Sequence, residues 1–334
     1  MNKAIYNIYS DLFSTRGRDF TRCRKIAHEA EMNVYYQPLI KEHFNQRCEN
    51  MYHDGFEKQH KRLVENVRDL GSESTNSVIA KKIAKADTPE KLYILFKNIE
   101  SVCRKSPFAQ KIHELFMLMF SPKTYSSDAK NIENKLKELG IRHLRLGSND
   151  KDANHLLSAI EIAKKNNDRL PDKVFFSELL DTNCLSEGFV YYPDNNVMVL
   201  ASPRLRAVYQ DYVERLKNEL EKSPVYRGFS NYLKNVTQQY LFCSRFSVDS
   251  PIRIPMHELG HINQPKNLPT LKFSDLDCDD KMTAINLTSY LTSDDLLPEI
   301  FSELYAKMRI KGKKALTAEE RTLLQRIIDS GESR

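Results

Sequence analysis

Residues 257–261 read His-Glu-Leu-Gly-His, and this pentapeptide constrains the fold more than any other stretch of the chain. On a helix, side chains four apart lie on one face, so His257 and His261 can aim imidazole nitrogens at a single point. On a strand the same two residues would stand about 13 Å apart. A zinc ion accepts such nitrogens at about 2.0–2.1 Å. Glu258 is one residue further round the helix, close enough to reach a metal-activated water without binding the metal. The spacing therefore predicts a helix, a zinc ion held by His257 and His261, and Glu258 as general base. The same carboxyl group can pass the proton on to a leaving amine.

A similar opening occurs earlier, in His113-Glu114-Leu115-Phe116-Met117, but the second histidine is missing. That segment is expected to be structural, with His113 on a helix surface or in a core. His28, His43, His53, His60, His143 and His155 are read as ordinary helical or loop residues.

A catalytic zinc takes three protein ligands and leaves one position open. Downstream, Pro298-Glu299-Ile300-Phe301-Ser302-Glu303-Leu304-Tyr305 combines a proline suited to a first helical turn with apolar residues to pack it inwards. Glu299 and Glu303 fall one turn apart on the same face. Glu299 is expected to be the third ligand and Glu303 to accept a hydrogen bond from the free nitrogen of a ligand histidine. The pattern fixes the face but not the depth, so the two roles could be exchanged. Asp275, Asp277, Cys278, Asp279 and Asp280 are the other nearby donors, more simply explained as residues of a solvated turn.

The pentapeptide and the glutamate helix together resemble the zincin metallopeptidases, in their gluzincin branch. The similarity is greatest to the anthrax lethal factor-like peptidases and covers about residues 170–310. The metzincin pattern does not continue, because Gln264 stands where it has glycine and Asn267 where it has a third ligand. The resemblance implies that Glu299 binds zinc and that Glu303 supports a ligand histidine. It also implies an oxyanion-stabilising tyrosine shortly before the glutamate helix, for which Tyr290 is the nearest candidate. The implied activity is that of a zinc-dependent endopeptidase cleaving a protein substrate, and the implied setting is a bacterial effector or toxin.

Around these motifs the chain divides by character. Leu63, Val64, Val67 and Leu70 recur at helical spacing after Phe56, with Gly71 as a stop. Thr88-Pro89 opens a second helix, and a third is expected over Ala129–Leu139, closed by Gly140. The polar run Lys164-Lys165-Asn166-Asn167-Asp168 suggests a boundary, separating a helical domain (1–168) from a zincin-like domain (169–334). Beyond it, Val174-Phe175-Phe176 reads as a strand. Phe189–Tyr192 and Val197–Leu200 read as a hairpin around Pro193-Asp194-Asn195-Asn196. An amphipathic helix is expected from Ser202-Pro203 to Leu220, with a β-like run near Tyr240–Val248, after which Ile252–Ile254 lead into the helix of His257. Thr317-Ala318-Glu319-Glu320 reads as a capping box. The expected fold class is α+β: a helical first half, then a small mixed sheet with an active-site helix.

Charge and cysteine content narrow the partners. Residues 1–168 carry 29 Lys and Arg against 22 Asp and Glu, and residues 169–334 carry 22 against 23. The basic surplus of the first half suits an acidic partner or an anionic surface. Nucleic acid is disfavoured, since no binding motif or interleaved aromatic platform accompanies the charge. The six cysteines show no CxxC spacing, which argues for reduced thiols and against a cysteine-based zinc site. The N-terminus has no Sec-type signal, so a cytoplasmic product is expected, or one exported or injected by a signal-peptide-independent route. The alternative to a peptidase is a non-catalytic interaction protein with a structural or vestigial zinc site.

Overall fold

Two strands, Lys173–Ser177 (β2) and Val197–Ala201 (β4), set the layout. Their apolar runs, Val174-Phe175-Phe176 and Val197-Met198-Val199-Leu200, have no polar face, as parallel strands covered on both sides require. The computed structural model describes residues 45–334, except for 47, 54, 71–72, 104–106, 122, 125, 148–149, 178–187, 192–195, 202–213, 215–216, 219, 232–233, 235–246, 266–267, 269–275, 288–295 and 333–334. Among the described residues the fold is α+β, mostly helical with one small mixed sheet of strand order β1-β2-β4-β3. β1 (His143–Arg145) runs parallel to β2, and β2 runs parallel to β4. The expected hairpin is present as β3 (Gly188–Tyr191) antiparallel to β4. No helix of the described residues is long and apolar enough to cross a membrane.

Strand alternation gives the sheet two faces with different tenants. Phe175, Val197 and Val199 point into a core shared with helices Phe56–Arg68, Glu73–Lys85, Pro89–Cys103 and Pro107–Phe120. Val174, Phe176, Met198 and Leu200 point into the other core. That second core holds Met256, Leu259 and Ile262 of the His-Glu helix (Arg253–Asn263), and Ile300, Leu304 and Tyr305 of the glutamate helix (Leu296–Lys311). Each buried aliphatic or aromatic side chain contributes roughly 1.5–3 kcal/mol. The sheet is therefore anchored from both sides.

The helices predicted in the first half are present. Ser126 caps the helix Ser127–Glu138 by accepting from the Ala129 N–H at 3.0 Å, and Gly140 follows it with φ 106. The capping box at Thr317 is reciprocal. The Glu320 N–H donates to Thr317 Oγ1 at 3.2 Å, and the Thr317 N–H donates to Glu320 Oε2 at 2.8 Å. The helix expected from Ser202-Pro203 lies largely outside the described residues.

Among the described residues the core continues across residue 168. The polar run there is a helix stop: Asn167, with φ 57, ends helix Asp150–Lys165 in a left-handed cap. β1 and that helix come from the half read as purely helical, yet β1 joins the sheet and Ala153 to Ala163 pack in the core beneath the His-Glu helix. Asp168 is held by Arg309 (Nε to Oδ2 2.7 Å, Nη2 to Oδ1 2.5 Å) and by the Tyr305 hydroxyl at 2.7 Å. Asn263, at the end of the His-Glu helix, exchanges two hydrogen bonds with the Arg169 backbone. Asn166 and Asp168 take part in side-chain hydrogen bonds here. Ile252–Ile254 lead into the His-Glu helix as expected, and the run near Tyr240–Val248 lies largely outside the described residues. The helix already starts at Arg253, and Pro255 occupies its first turn, where the missing N–H costs nothing.

Candidate metal centre

The His-Glu helix and the glutamate helix pack side by side because both present small residues at their crossing. A Cβ added to Gly260 would lie 2.6 Å from Ser302 Cα and 2.9 Å from Ser302 Cβ. Glycine in a helix interior costs about 1 kcal/mol relative to alanine. Here it permits a backbone approach that no other residue allows. That approach brings the carboxylates of one helix to the imidazoles of the other.

Three donors converge. One ligand atom each of His257, His261 and Glu299 lies within 4.8 Å of the other two. His257 Nε2 is 3.2 Å from Glu299 Oε2 and 3.2 Å from His261 Nε2, and His261 Nε2 is 3.7 Å from Glu299 Oε1. The opposite nitrogen of His257, Nδ1, lies 2.8 Å from Glu303 Oε1. Glu303 is fully buried and Glu299 is not. Glu299 thus stands at the cluster and Glu303 behind His257. Glu303 is itself held by Ser247, whose backbone N–H donates to Oε2 at 2.6 Å and whose hydroxyl donates to the Glu303 carbonyl at 2.7 Å.

Glu258 stands apart from this network. It is 5% exposed, and its Oε2 has no hydrogen-bond partner among the described residues. A buried carboxylate oxygen without a partner is costly. Burial pushes the Glu258 carboxyl up to about 8, against the lowering pull of His257. Burial also takes His261 down to about 4. For His257 burial pulls downwards too, but the Glu299 and Glu303 carboxylates outweigh it and hold the imidazole well above its ordinary value. Burial opposes ionisation of Glu299, yet His261 and His257 bring its carboxyl below the usual range.

Against protein-family models, curated proteins and solved structures, the chain finds no match. The reading of the site therefore rests on its donors. Two imidazoles and one carboxylate suit a borderline dication, and a bound dication favours neutral histidine and charged carboxylate at once. The unpartnered Glu258 oxygen beside them fits a group awaiting a ligand.

The remaining candidates fall elsewhere. Asp277 and Asp280 are paired with Arg326 at 2.9 and 2.6 Å, and Asp277 also accepts the Asp280 N–H at 2.8 Å. Asp277 caps helix Cys278–Leu287, Asp279 and Asp280 lie in its first turn, and none of the three joins the cluster. Asp275 and Tyr290 lie outside the described residues, as does the side chain of Cys278. His113 lies in helix Pro107–Phe120, where the neighbouring Glu114 pairs with Lys173. Sequence reasoning missed the Gly260–Ser302 contact and Ser247. A glycine inside a helix, with a serine on the partner helix, is the signal that could have pointed to the first.

Proposed function

We propose that the chain is a zinc-dependent endopeptidase, a zincin of gluzincin type, acting on a protein or peptide substrate. The observation that carries this is the convergence of His257, His261 and Glu299 within 4.8 Å, beside a buried Glu258 oxygen that has no partner. His257 and His261 would hold zinc through Nε2 and Glu299 through its carboxylate. A zinc ion there supplies a Lewis acid that polarises the scissile carbonyl and acidifies a water. Glu258 takes the proton from that water and delivers it to the leaving amine. Burial raises the pKa of the Glu258 carboxyl in the metal-free protein, and a dication beside it would favour the charged form that accepts a proton. Glu303, whose Oε1 lies 2.8 Å from His257 Nδ1, would fix the tautomer of His257 by accepting from that nitrogen, so that Nε2 keeps a lone pair for the ion.

Substrate would bind as an added strand. β3 is one of the two edge strands of the described sheet, and it packs against the His-Glu helix. An extended peptide paired along that edge would be held beside the donors by main-chain hydrogen bonds. Tyr290 is the proposed oxyanion donor. The helices on the far face of the sheet, in the basic half, would recognise the substrate, an acidic partner or an anionic surface, in keeping with an effector or toxin.

The test is elemental analysis of chelator-free protein together with hydrolysis of a peptide library by wild type and Glu258→Gln. One zinc per chain and cleavage by the wild type alone supports the proposal. Zinc without cleavage would make this an interaction protein with a structural or vestigial site, and absence of zinc would remove both readings.

A further inference from the structure

We propose that Ser247 is a positioning residue for the metal centre, acting on His257 through Glu303. This rests on the zinc reading of the His257–His261–Glu299 cluster. The contacts form one chain. The Ser247 N–H donates to Glu303 Oε2 at 2.6 Å, and Glu303 Oε1 lies 2.8 Å from His257 Nδ1. Glu303 Oε2 is fixed by the Ser247 amide while Oε1 makes only the ion-pair contact with the imidazole, so the Ser247 amide decides the plane in which Glu303 meets His257. The Ser247 hydroxyl donates to the Glu303 carbonyl at 2.7 Å and holds that amide in place.

The location gives the contact a second effect. Ser247 lies six residues before the start of the His-Glu helix, and Val248 beside it is buried in the core under that helix. The chain entering the helix with the histidines is thus tied to the helix with the glutamates before the donors meet. Residues beyond the ligands that orient them typically change metal affinity 10–100-fold. Ser247 acts one step further out, and its hydroxyl is one of two bonds.

The experiment uses full-length protein and zinc alone. Zinc dissociation constants are measured by chelator competition for wild type, Ser247→Ala, Ser247→Thr, Glu303→Gln and Ser247→Ala/Glu303→Gln. Ser247→Ala is expected to weaken zinc binding about 3–10-fold, below the range for direct partners, and Ser247→Thr to restore it. In the Glu303→Gln background, Ser247→Ala should add little, which a general loss of stability would not produce. Amide hydrogen exchange of Ser247 needs no change at that position. It is expected to be slow in wild type, although Ser247 lies outside helices and strands, and fast in Glu303→Ala. Equal zinc affinity in wild type and Ser247→Ala, additive effects in the double variant, or a fast Ser247 amide in wild type would each overturn the proposal. A wild type that takes up no zinc would overturn the zinc reading, and this inference with it, and is recognisable as that outcome.

Discussion

The chain begins two helical segments with the same three letters, His-Glu-Leu, and treats them in opposite ways. In residues 113–117 the glutamate, Glu114, is buried but answered by Lys173 from β2 and by Lys111 at 3.5 Å. Phe116, two residues on, is fully buried in an apolar core. In residues 257–261 the glutamate, Glu258, is equally buried, yet its Oε2 has no partner. The residue matching Phe116 is Gly260, which yields its space to the backbone of Ser302. A buried carboxylate with a resident cation is finished as a structure. One with an oxygen that has no hydrogen-bond partner, next in sequence to His257, is the group we propose as the base.

That contrast can be broken most decisively at the two glutamates. Glu258→Gln should keep the fold and the zinc but lower peptide hydrolysis by about 10²–10⁴-fold, because glutamine cannot accept the proton of water. The corresponding change at Glu114 should leave turnover untouched. Steady-state kinetics and zinc content for both variants decide the matter, and near-normal turnover in Glu258→Gln would move the base elsewhere. Next in size is Glu303→Ala, expected to weaken zinc affinity about 10–100-fold. Glu299→Ala, at the cluster itself, should exceed it, and the reverse ranking by chelator competition would exchange their roles.

Smaller effects test the frame around the site. Gly260→Ala places a methyl group 2.6 Å from Ser302 Cα, so the helices must part, at a cost of about 1–3 kcal/mol. Thermal melting should register this, and zinc affinity should fall with it, since the donors ride on both helices. The least effect is expected from rewriting the answered glutamate. Glu114→Leu with Lys173→Met replaces a buried ion pair by apolar contacts, a change often neutral or stabilising by about 1–4 kcal/mol. Melting should hold steady or rise, with zinc binding unchanged.

Much of this was legible in the residues. The histidine spacing, the proline before Glu299 and the one-turn interval to Glu303 each follow from helix geometry alone, and the four side chains meet as that geometry requires. The parallel strands were visible because nothing polar interrupts them. β1 was not, because three residues, His143-Leu144-Arg145, carry no period to detect. Residues 164–168 are ambiguous for a related reason. A polar helix stop and a polar linker have the same composition, and only a partner 141 positions away, Arg309 for Asp168, separates them. Ser247 was invisible because its main role is played by a backbone N–H, a group every residue but proline shares.

The bonds from Asp168 to Arg309 and from Ser247 to Glu303 also set a timetable. Both join earlier chain to the glutamate helix. During synthesis, which adds about 5–20 residues each second, the sheet and the His-Glu helix leave the ribosome before the segment that completes them. Until residues past 311 have emerged, neither Glu299 nor Glu303 can reach the histidines. The nascent chain therefore carries its histidines without their carboxylates. The cluster, and any hydrolytic power it confers, arises only after the glutamate helix has emerged.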